Sequence, residues 1–308
     1  MDIFLSEGSL INTKENAGHL SSEAALKSAC GSGIILEQHA SLFDKNKNLI
    51  VPLGPIKGVI PYYECAVGLR EGITRDISII SRVGKPVCFV VTGFSTDDNG
   101  GAVALLSRRA AQQKCLEKYI SKLVPGDIID CTVTHLEKFG CFVDIGCGMS
   151  ALLPIDSISV SRINHPGDRI KTGMKLHCAV KSIDDTGRLL LTHKELLGSW
   201  QHNAAKFSPG ETVIGTVRSV EDYGVFVELT PNLAGLADIV DGVEISQKAS
   251  VFIKSIIPER MKIKLVIIDA FPPQKTDPEP FDYYITEGHI DKFLYSPDSC
   301  ERVIETVF

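Results

Sequence analysis

Apolar and polar side chains alternate with period two through residues 125–271. In residues 125–193 the apolar positions form four groups: Ile129, Cys131 and Val133; Cys141, Val143 and Ile145; Leu176, Cys178 and Val180; Leu189 and Leu191. Since strand side chains point alternately to opposite faces, each group predicts one strand with an apolar inner face. The run 151–153 adds a fifth short strand. Five such strands are enough for a small closed barrel without long free edges.

This pattern occurs twice at a constant offset. Pro125-Gly126-Asp127 recurs as Pro209-Gly210-Glu211, an offset of 209 − 125 = 84, and residues 137–144 recur as 221–228 at the same offset. A shared offset indicates two homologous units. A weaker third copy lies upstream, where 48–54 resembles 140–146 and 58–61 resembles 151–154. In that copy Lys47 and Ile50 stand where the later unit has Phe139 and Phe142.

Helical spacing of apolar residues predicts three helices between or before these units. They cover Ser21–Cys30, stopped at Gly31, then Ser107–Leu123, and His193–Phe207, with Trp200 expected to lie between two barrels. Residues before Ser21 are expected to be loosely ordered. The predicted division is 1–32 N-terminal segment, 33–107 first barrel, 108–124 linker helix, 125–193 second barrel, 194–208 linker helix, 209–271 third barrel and 272–308 acidic tail.

Each of the last two units predicts an outward pair of aromatic side chains. If Val143 and Ile145 face the core, Phe142 and Asp144 face outward, with Phe139 at the strand entry. The same alternation turns Glu228 and the pair Tyr223 and Phe226 outward. Nucleic-acid bases stack on such pairs without requiring one sequence. The alternative is that the aromatics cover a neighbouring barrel or helix, but their recurrence in both units favours base stacking.

Basic side chains occur in the same outward phase of the other strands. They are Lys181 and Arg188 in the second barrel, and Lys254, Lys262 and Lys264 in the third. Aromatic and cationic groups on one face form a stacking platform with phosphate contacts. The alternative is an ordinary solvated face.

The formal net charge of −6 at first argues against a nucleic-acid partner. The acidity is concentrated, however, because residues 272–308 hold eight acids and three bases, a local charge of −5. Residues 51–124 hold ten bases and six acids, a local charge of +4. A basic region is therefore predicted upstream. In the Pro-rich tail the aromatic segment from Phe281 to Tyr295 is expected to pack back on the third barrel, and the alternative is a disordered linker that ends in a short docking segment.

Other kinds of chemistry find little support in the sequence. The nine cysteines include no CxxC pair and the eight histidines do not cluster, so no metal site or disulfide framework is predicted. Gly146-Cys147-Gly148-Met149-Ser150-Ala151 matches a dinucleotide fingerprint, but Pro154 prevents the required helix, and a hairpin turn is predicted instead. No GxSxG, HExxH or phosphate-loop motif occurs. No apolar run predicts a membrane span, and the acidic N-terminus is unlike a secretory signal.

The two later units resemble the S-one (S1) RNA-binding domain, an OB-fold module. The resemblance rests on Phe139-Gly140-Cys141-Phe142-Val143-Asp144 and on Asp184-Asp185-Thr186-Gly187-Arg188-Leu189. In that family two aromatics, a histidine, an Asp and an Arg line the RNA face. The resemblance therefore assigns Phe139, Phe142, Asp184 and Arg188 to the RNA face, with Tyr223 and Phe226 in the third barrel. Pro154 and Asp238 replace the histidine, and Ile257 replaces the Asp in the third barrel, where a one-residue slip would let Lys262 replace the Arg.

The resemblance implies a mainly β fold of three tandem five-stranded OB-fold barrels joined by short helices. As a whole the chain resembles short bacterial homologues of small-subunit ribosomal protein S1. It is expected to be a cytoplasmic, non-enzymatic protein that binds single-stranded RNA, chiefly on the second barrel, with the small ribosomal subunit as a further candidate partner. No cofactor, small-molecule substrate or membrane is expected. The first barrel would serve structurally or dock on another molecule, and the alternative function is a protein-interaction scaffold in a ribosomal, RNA-decay or transcription complex.

Overall fold

A computed structural model describes residues 4–54, 56–97, 100–273 and 279–308. The chain forms two compact units. The first comprises Met1–Leu123 with Asp144–Ser150, and the second comprises Val124–Val143 with Ala151–Phe308. The fold is mainly β, as predicted. The second unit holds the third barrel and all of the second barrel except residues 144–150.

The first unit contains one sheet and four α-helices. The helices are α1 (Lys14–Leu20), α2 (Glu23–Ser32), α3 (Asp76–Ile80) and α4 (Arg108–Lys118), with 3-10 turns at Tyr62–Glu64 and Ile120–Lys122. The strands are β1 (Leu36–His39), β2 (Leu42–Phe43), β3 (Leu49–Pro52), β4 (Lys57–Ile60), β5 (Pro86–Thr96) and β6 (Ala102–Ser107).

The strand order of this sheet is β1-β5-β6-β4-β3-β2. β1 and β2 follow each other directly along the chain, so they form two halves of one first strand that lies at both ends of the order. β4 pairs with β6 in parallel, and the other pairs are antiparallel. The first barrel thus has the five-strand OB arrangement with a split first strand. Its core includes Leu49, Val51, Phe89 and Leu106, all fully or almost fully buried.

The segment before Ser21 is ordered, so the expectation of loose order is wrong for residues 4–20. Asn16 is buried and exchanges two hydrogen bonds with the backbone of Glu37, each of 2.9 Å. The buried carboxylate of Glu7 accepts from Arg108 Nε at 2.6 Å. Polar side chains hold this segment, which is why apolar periodicity does not reveal its order. Residues 1–3 lie outside the described residues.

The second unit contains two barrels and the end of the chain. The strands of the second barrel are β7 (Ile128–Glu137), β8 (Gly140–Asp144), β9 (Ser150–Pro154), β10 (Lys175–Ile183) and β11 (Leu189–Thr192). After α5 (Trp200–Ala204), the third barrel has β12 (Thr212–Glu221), β13 (Gly224–Thr230), β14 (Leu233–Ala237), β15 (Lys248–Ile257) and β16 (Lys262–Phe271). β17 (Lys292–Leu294) and β18 (Glu305–Val307) follow, and 3-10 turns lie at Ile155–Ser157, Pro166–Asp168, Lys194–Leu197 and Pro258–Arg260.

Both barrels are closed and have the same order. It is β10-β11-β9-β8-β7 in the second barrel and β15-β16-β14-β13-β12 in the third. β9 pairs in parallel with β11, and β14 pairs in parallel with β16. Of the residues that match the dinucleotide fingerprint, 146–149 lie in the turn between β8 and β9, as predicted, and Ser150 and Ala151 begin β9.

The linker between these barrels differs from the single helix predicted over His193–Phe207. A 3-10 turn ends at Leu197, and Gly198 then adopts a φ of 82°. Ser199 caps the new helix α5 by accepting from His202 N–H. Trp200 was expected between the barrels, but it packs into the core of the third barrel and is 3% exposed. The Gly-Ser pair is a helix stop followed by a helix start, which the apolar spacing concealed.

The described part of the tail, from residue 279 onward, packs on both barrels of this unit and not on the third alone. Tyr295 joins the core of the third barrel. The ring of Tyr283 lies edge-on to His177 on β10 and to His193, with centroid distances of 4.8 and 5.3 Å. Its hydroxyl lies 2.9 Å from His193 Nε2 and accepts from His177 N–H at 3.3 Å. Residues 274–278, including Pro278, lie outside the described residues.

We expect this tail contact to weaken in acid. Burial lowers the pKa of His193 to about 4, so the folded ring is neutral where the unfolded ring is protonated. Stability from the neutral ring is complete above pH 6.5 and falls as the pH drops towards 4, by about 3 kcal/mol in total. Urea unfolding between pH 4 and 7 measures how the free energy of unfolding changes with pH. This change should be smaller in the His193→Gln variant. An equal slope in the variant would contradict the assignment.

Candidate nucleic-acid interface

The second barrel presents the predicted aromatic pair at its surface. Phe139 lies in the turn before β8 and is 55% exposed, and Phe142 lies on β8 and is half-buried. Their ring centroids are 6.2 Å apart, with an angle of 87° between the planes. An exposed edge-to-face pair of this kind offers ring faces against which an unpaired base can stack.

The third barrel repeats this geometry almost unchanged. Tyr223 is 69% exposed, Phe226 is half-buried, and their centroids are 6.1 Å apart at an angle of 87°. The outward aromatic pair that strand alternation predicts is therefore present in both barrels. The two barrels thus present the same arrangement of aromatic rings at their surfaces.

A glycine after the first aromatic of each pair lets the neighbouring strand approach closely. A Cβ on Gly140 would lie 2.4 Å from the carbonyl oxygen of Leu153, and one on Gly224 would lie 2.5 Å from that of Ala237. Neither contact is sterically possible, so a side chain at this position would force the strands apart. The aromatic-Gly motif thus fixes the hairpin that holds the ring pair.

Strand register places Phe226 in a row of outward side chains across the third barrel. The row runs from Ser219 through Phe226, Leu236 and Lys264 to Ser255. In the second barrel, Leu152 of β9 pairs with Leu190 of β11, and Leu190 pairs with Ser182 of β10. These three residues correspond to Leu236, Lys264 and Ser255 of the third barrel. Lys264 therefore lies two strands from Phe226 on the face that carries the ring pair.

Two of the predicted lysines occupy matching β-bulges. Register shifts enclose Lys181 between Val180 and Ser182 of β10, and Lys254 between Ile253 and Ser255 of β15. Lys254 is exposed, whereas Lys181 Nζ lies 3.4 Å from Ser157 Oγ. A bulge reorients its side chain relative to the regular pleat, so both barrels direct one cation from the same point of the fold.

Register also aligns Lys262 with Arg188. Arg188 precedes Leu189, which pairs with Ile183, and Lys262 precedes Ile263, which pairs with Ile256. Between the paired residues Ile256 and Ile263 the chain has one more residue than between Ile183 and Leu189, and this is the one-residue slip considered from the sequence. Arg188 and Lys262 are both exposed, so each barrel has a cation at the start of its last strand.

Asp184 is engaged within its own turn. One carboxylate oxygen accepts from Thr186 N–H at 2.8 Å, Thr186 Oγ1 at 2.6 Å and Arg188 N–H at 2.9 Å. The Thr186 hydroxyl, together with these backbone donors, lowers the pKa of Asp184. The carboxylate therefore shapes the turn from which the Arg188 side chain projects.

The acids that follow the aromatic pairs point away from the barrel cores, as predicted, but they are buried. Asp144, within the first unit, accepts from Gly146, Gly148 and Glu7 N–H groups, and burial raises its pKa to about 6. Burial would also raise the pKa of Glu228, but Arg169 and Arg218 outweigh it and hold that pKa below its usual value. These acids are structural parts of the motif.

Glu228 ties the third barrel to the second. Its two oxygens accept from Arg169 at 3.0 and 2.7 Å and from Arg218 at 2.8 and 3.1 Å. Arg169 lies in the segment between β9 and β10 of the second barrel, 59 residues before Glu228. Neither arginine was singled out from the sequence, because only the fold brings the three side chains together.

No group of three or more His, Cys, Asp or Glu side chains with metal-binding proximity occurs among the described residues. No helix in the described part of the chain has the length and apolar character needed to cross a membrane.

Fold and surface together define a protein built from tandem OB-type barrels with exposed aromatic pairs, two of which have closely matching geometry. Comparison with known proteins identifies the family. Residues 122–194, which contain the second barrel, match the family model described as S1 RNA binding domain.

Two relatives named for the small ribosomal subunit are similar over most of the chain. The small ribosomal subunit protein bS1 of Leuconostoc lactis is 32% identical over 233 residues, 74% of this chain and 51% of that protein. The bS1 homolog of Bacillus subtilis strain 168 is 30% identical over 227 residues, 72% of this chain and 56% of that protein. The chain thus spans about half the length of these relatives.

A solved multidomain protein with nucleic acid binding domains from Streptococcus pneumoniae also matches, at 14% identity and a TM-score of 0.25. The match covers 77% of this chain and 74% of that one. From the family model and the sequence relatives, the chain belongs to the S1-domain proteins as a homologue of bS1, which confirms the family resemblance.

Proposed function

We propose that the chain binds single-stranded RNA on the aromatic faces of its second and third barrels, and chiefly on the second. The observation that carries this proposal is the ring pair that recurs with the same centroid distance and angle in both barrels. The family model that matches residues 122–194 and the nature of the bS1 relatives support it.

Within this proposal each side chain has a stated part. The rings Phe139, Phe142, Tyr223 and Phe226 stack with bases, which gives binding that tolerates many sequences. Lys181, Arg188, Lys254, Lys262 and Lys264 contact phosphates and align the strand. Asp184 orients its turn and so positions Arg188. The second barrel is the stronger site because its turn carries the charge-assisted Asp184 geometry and an arginine.

By analogy with the bS1 relatives, we propose that the partners are messenger RNA and the small ribosomal subunit, in the cytosol, and that the chain acts in translation without catalysing a reaction. The stacking face needs no metal or cofactor to bind a base. Phosphate contacts release counterions, so the affinity should fall as salt rises.

Replacing Phe139 and Phe142 together by alanine should weaken binding of an unstructured oligouridine about 30-fold to 10,000-fold, because each of the two stacked bases contributes about 1–3 kcal/mol. Fluorescence anisotropy of labelled RNA at fixed salt measures this change. The matched control replaces Val124 and Val160, exposed apolar side chains of the same unit, by alanine.

The control should bind like the parent chain. Equal affinity in the Phe139 and Phe142 double variant and the parent would contradict the proposal. If RNA binding were absent in both and a ribosomal partner persisted after ribonuclease treatment, the scaffold function would replace it.

A further inference from the structure

The first barrel lacks aromatics at the two positions that carry them in the other barrels. Lys47 stands at the position of Phe139 and is exposed, and Ile50 stands at the position of Phe142 and is buried. Two tyrosines nevertheless lie close by, in the 3-10 turn Tyr62–Glu64 after β4. Tyr63 is 56% exposed, and Tyr62 packs partly against the core.

The fold puts these tyrosines on the side of the barrel that carries the ring pair in the second barrel. β4 pairs with β3 and β6 as β9 pairs with its neighbours, and Pro61 follows β4 as Pro154 ends β9. In the second barrel the next residue, Ile155, donates its N–H to the Phe139 carbonyl at 2.9 Å. Tyr62 is the counterpart of Ile155 and so belongs beside position 47.

Contacts within the first unit agree with this placement. Lys47 Nζ lies 5.0 Å from the ring centroid of Tyr62, within cation–π range. The hydroxyl of Tyr62 donates to Asp76, and Lys47 Nζ forms an ion pair with Asp76 at 2.8 Å. Lys47 and Asp76 thus hold the Tyr62 ring in place from two sides.

Tyr62 and Tyr63 form an edge-to-face pair like those of the other barrels. Their centroids are 4.9 Å apart with an angle of 72° between the planes. The ion pair between Lys47 and Asp76 is exposed on both sides, at 55% and 41%, so it contributes little, and a phosphate can compete for the ammonium group.

We propose that Tyr62, Tyr63 and Lys47 form a third RNA site, in which an unpaired base stacks on Tyr63 and a neighbouring phosphate pairs with Lys47. The inference rests on the proposed function of the chain and extends it to the barrel whose aromatic positions are lost. In this site the rings follow β4, the third strand of the barrel, whereas in the other two barrels they lie at the start of the second strand.

Photocrosslinking of the full chain tests this site directly. An oligouridine containing 4-thiouridine is bound to the chain, irradiated and digested, and the crosslinked peptides are identified by mass spectrometry. Crosslinks should occur at Tyr62 or Tyr63 in addition to the aromatic pairs of the other two barrels. Crosslinks only at those two pairs overturn the third site and leave the proposed function intact, whereas no crosslinks anywhere contradict the proposed function itself.

Substitutions in a second experiment separate stacking from folding. In a chain with Phe139, Phe142, Tyr223 and Phe226 all replaced by alanine, Tyr63→Ala should weaken the remaining RNA affinity about fivefold to 100-fold, and Tyr63→Phe should retain it. Ile73→Ala, at a side chain of the same unit that is 71% exposed, is the matched control and should bind normally. Equal affinity of Tyr63→Ala and the control would overturn the site.

Discussion

Replacing Glu228 by alanine lowers the free energy of unfolding of the second unit by about 3–5 kcal/mol, because it leaves Arg169 buried without its carboxylate. Arg169 loses two charge-assisted hydrogen bonds, and water cannot replace them fully at a side chain only 6% exposed. Urea denaturation followed by circular dichroism measures the loss. Glu221→Ala, at an exposed acid of the adjoining strand β12, is the control and should change stability by less than about 0.5 kcal/mol.

The pH dependence of the Glu228 effect has a definite sign. Since the pKa of Glu228 in the folded chain lies below 4.5, its stabilisation is fully present above that pH and disappears as the pH falls through the folded pKa. The difference between parent and variant should therefore be constant at neutral pH and shrink in acid. A loss below about 1 kcal/mol at pH 7 would show that the buried cluster does not hold the unit together.

Replacing Tyr283 by alanine should lower the free energy of unfolding of the second unit by about 2–4 kcal/mol and release the tail from the second barrel, since the ring is partly buried. The substitution removes a ring packed against two histidines and the hydroxyl that lies 2.9 Å from His193 Nε2. Urea unfolding measures the loss of stability. Limited proteolysis detects the released tail, because the variant should be cleaved within residues 272–308 and the parent chain should not.

Tyr283→Phe separates packing from hydrogen bonding. It keeps the ring but leaves the buried His193 nitrogen without its donor, at a cost of about 1–3 kcal/mol. The tail should then stay protected from protease. If Tyr283→Ala and Tyr283→Phe released the tail equally, ring packing would not be what holds it.

The barrels and the aromatic faces could be predicted because they depend on local alternation. The inward phase of Val143 and Ile145 determines that Phe142 points outward, and a constant offset carries the same conclusion to Phe226. The registers of β15 and β16 then resolve the ambiguity at Lys262.

What the sequence did not reveal depends on contacts between distant segments. Alternation turned Glu228 outward correctly, but it could not show that Arg169 from another barrel would cover it. Asn16 and Glu7 hold the N-terminal segment through hydrogen bonds that no apolar period records. The repeated aromatic motif does not point to Tyr62 and Tyr63, because the first barrel carries these rings in the turn after β4 and not at the start of its second strand.

The buried contact of Arg169 with Glu228 also bears on how a long strand would engage this unit. If this contact holds the second and third barrels together, the distance between their ring pairs is constant. Once one barrel has bound an RNA, the other barrel then meets the same RNA at a set effective concentration. Avidity should then rise in a step once an RNA is long enough to span both faces, and lengthening it further should add little. In this unit a structural ion cluster would set the length of RNA at which binding tightens.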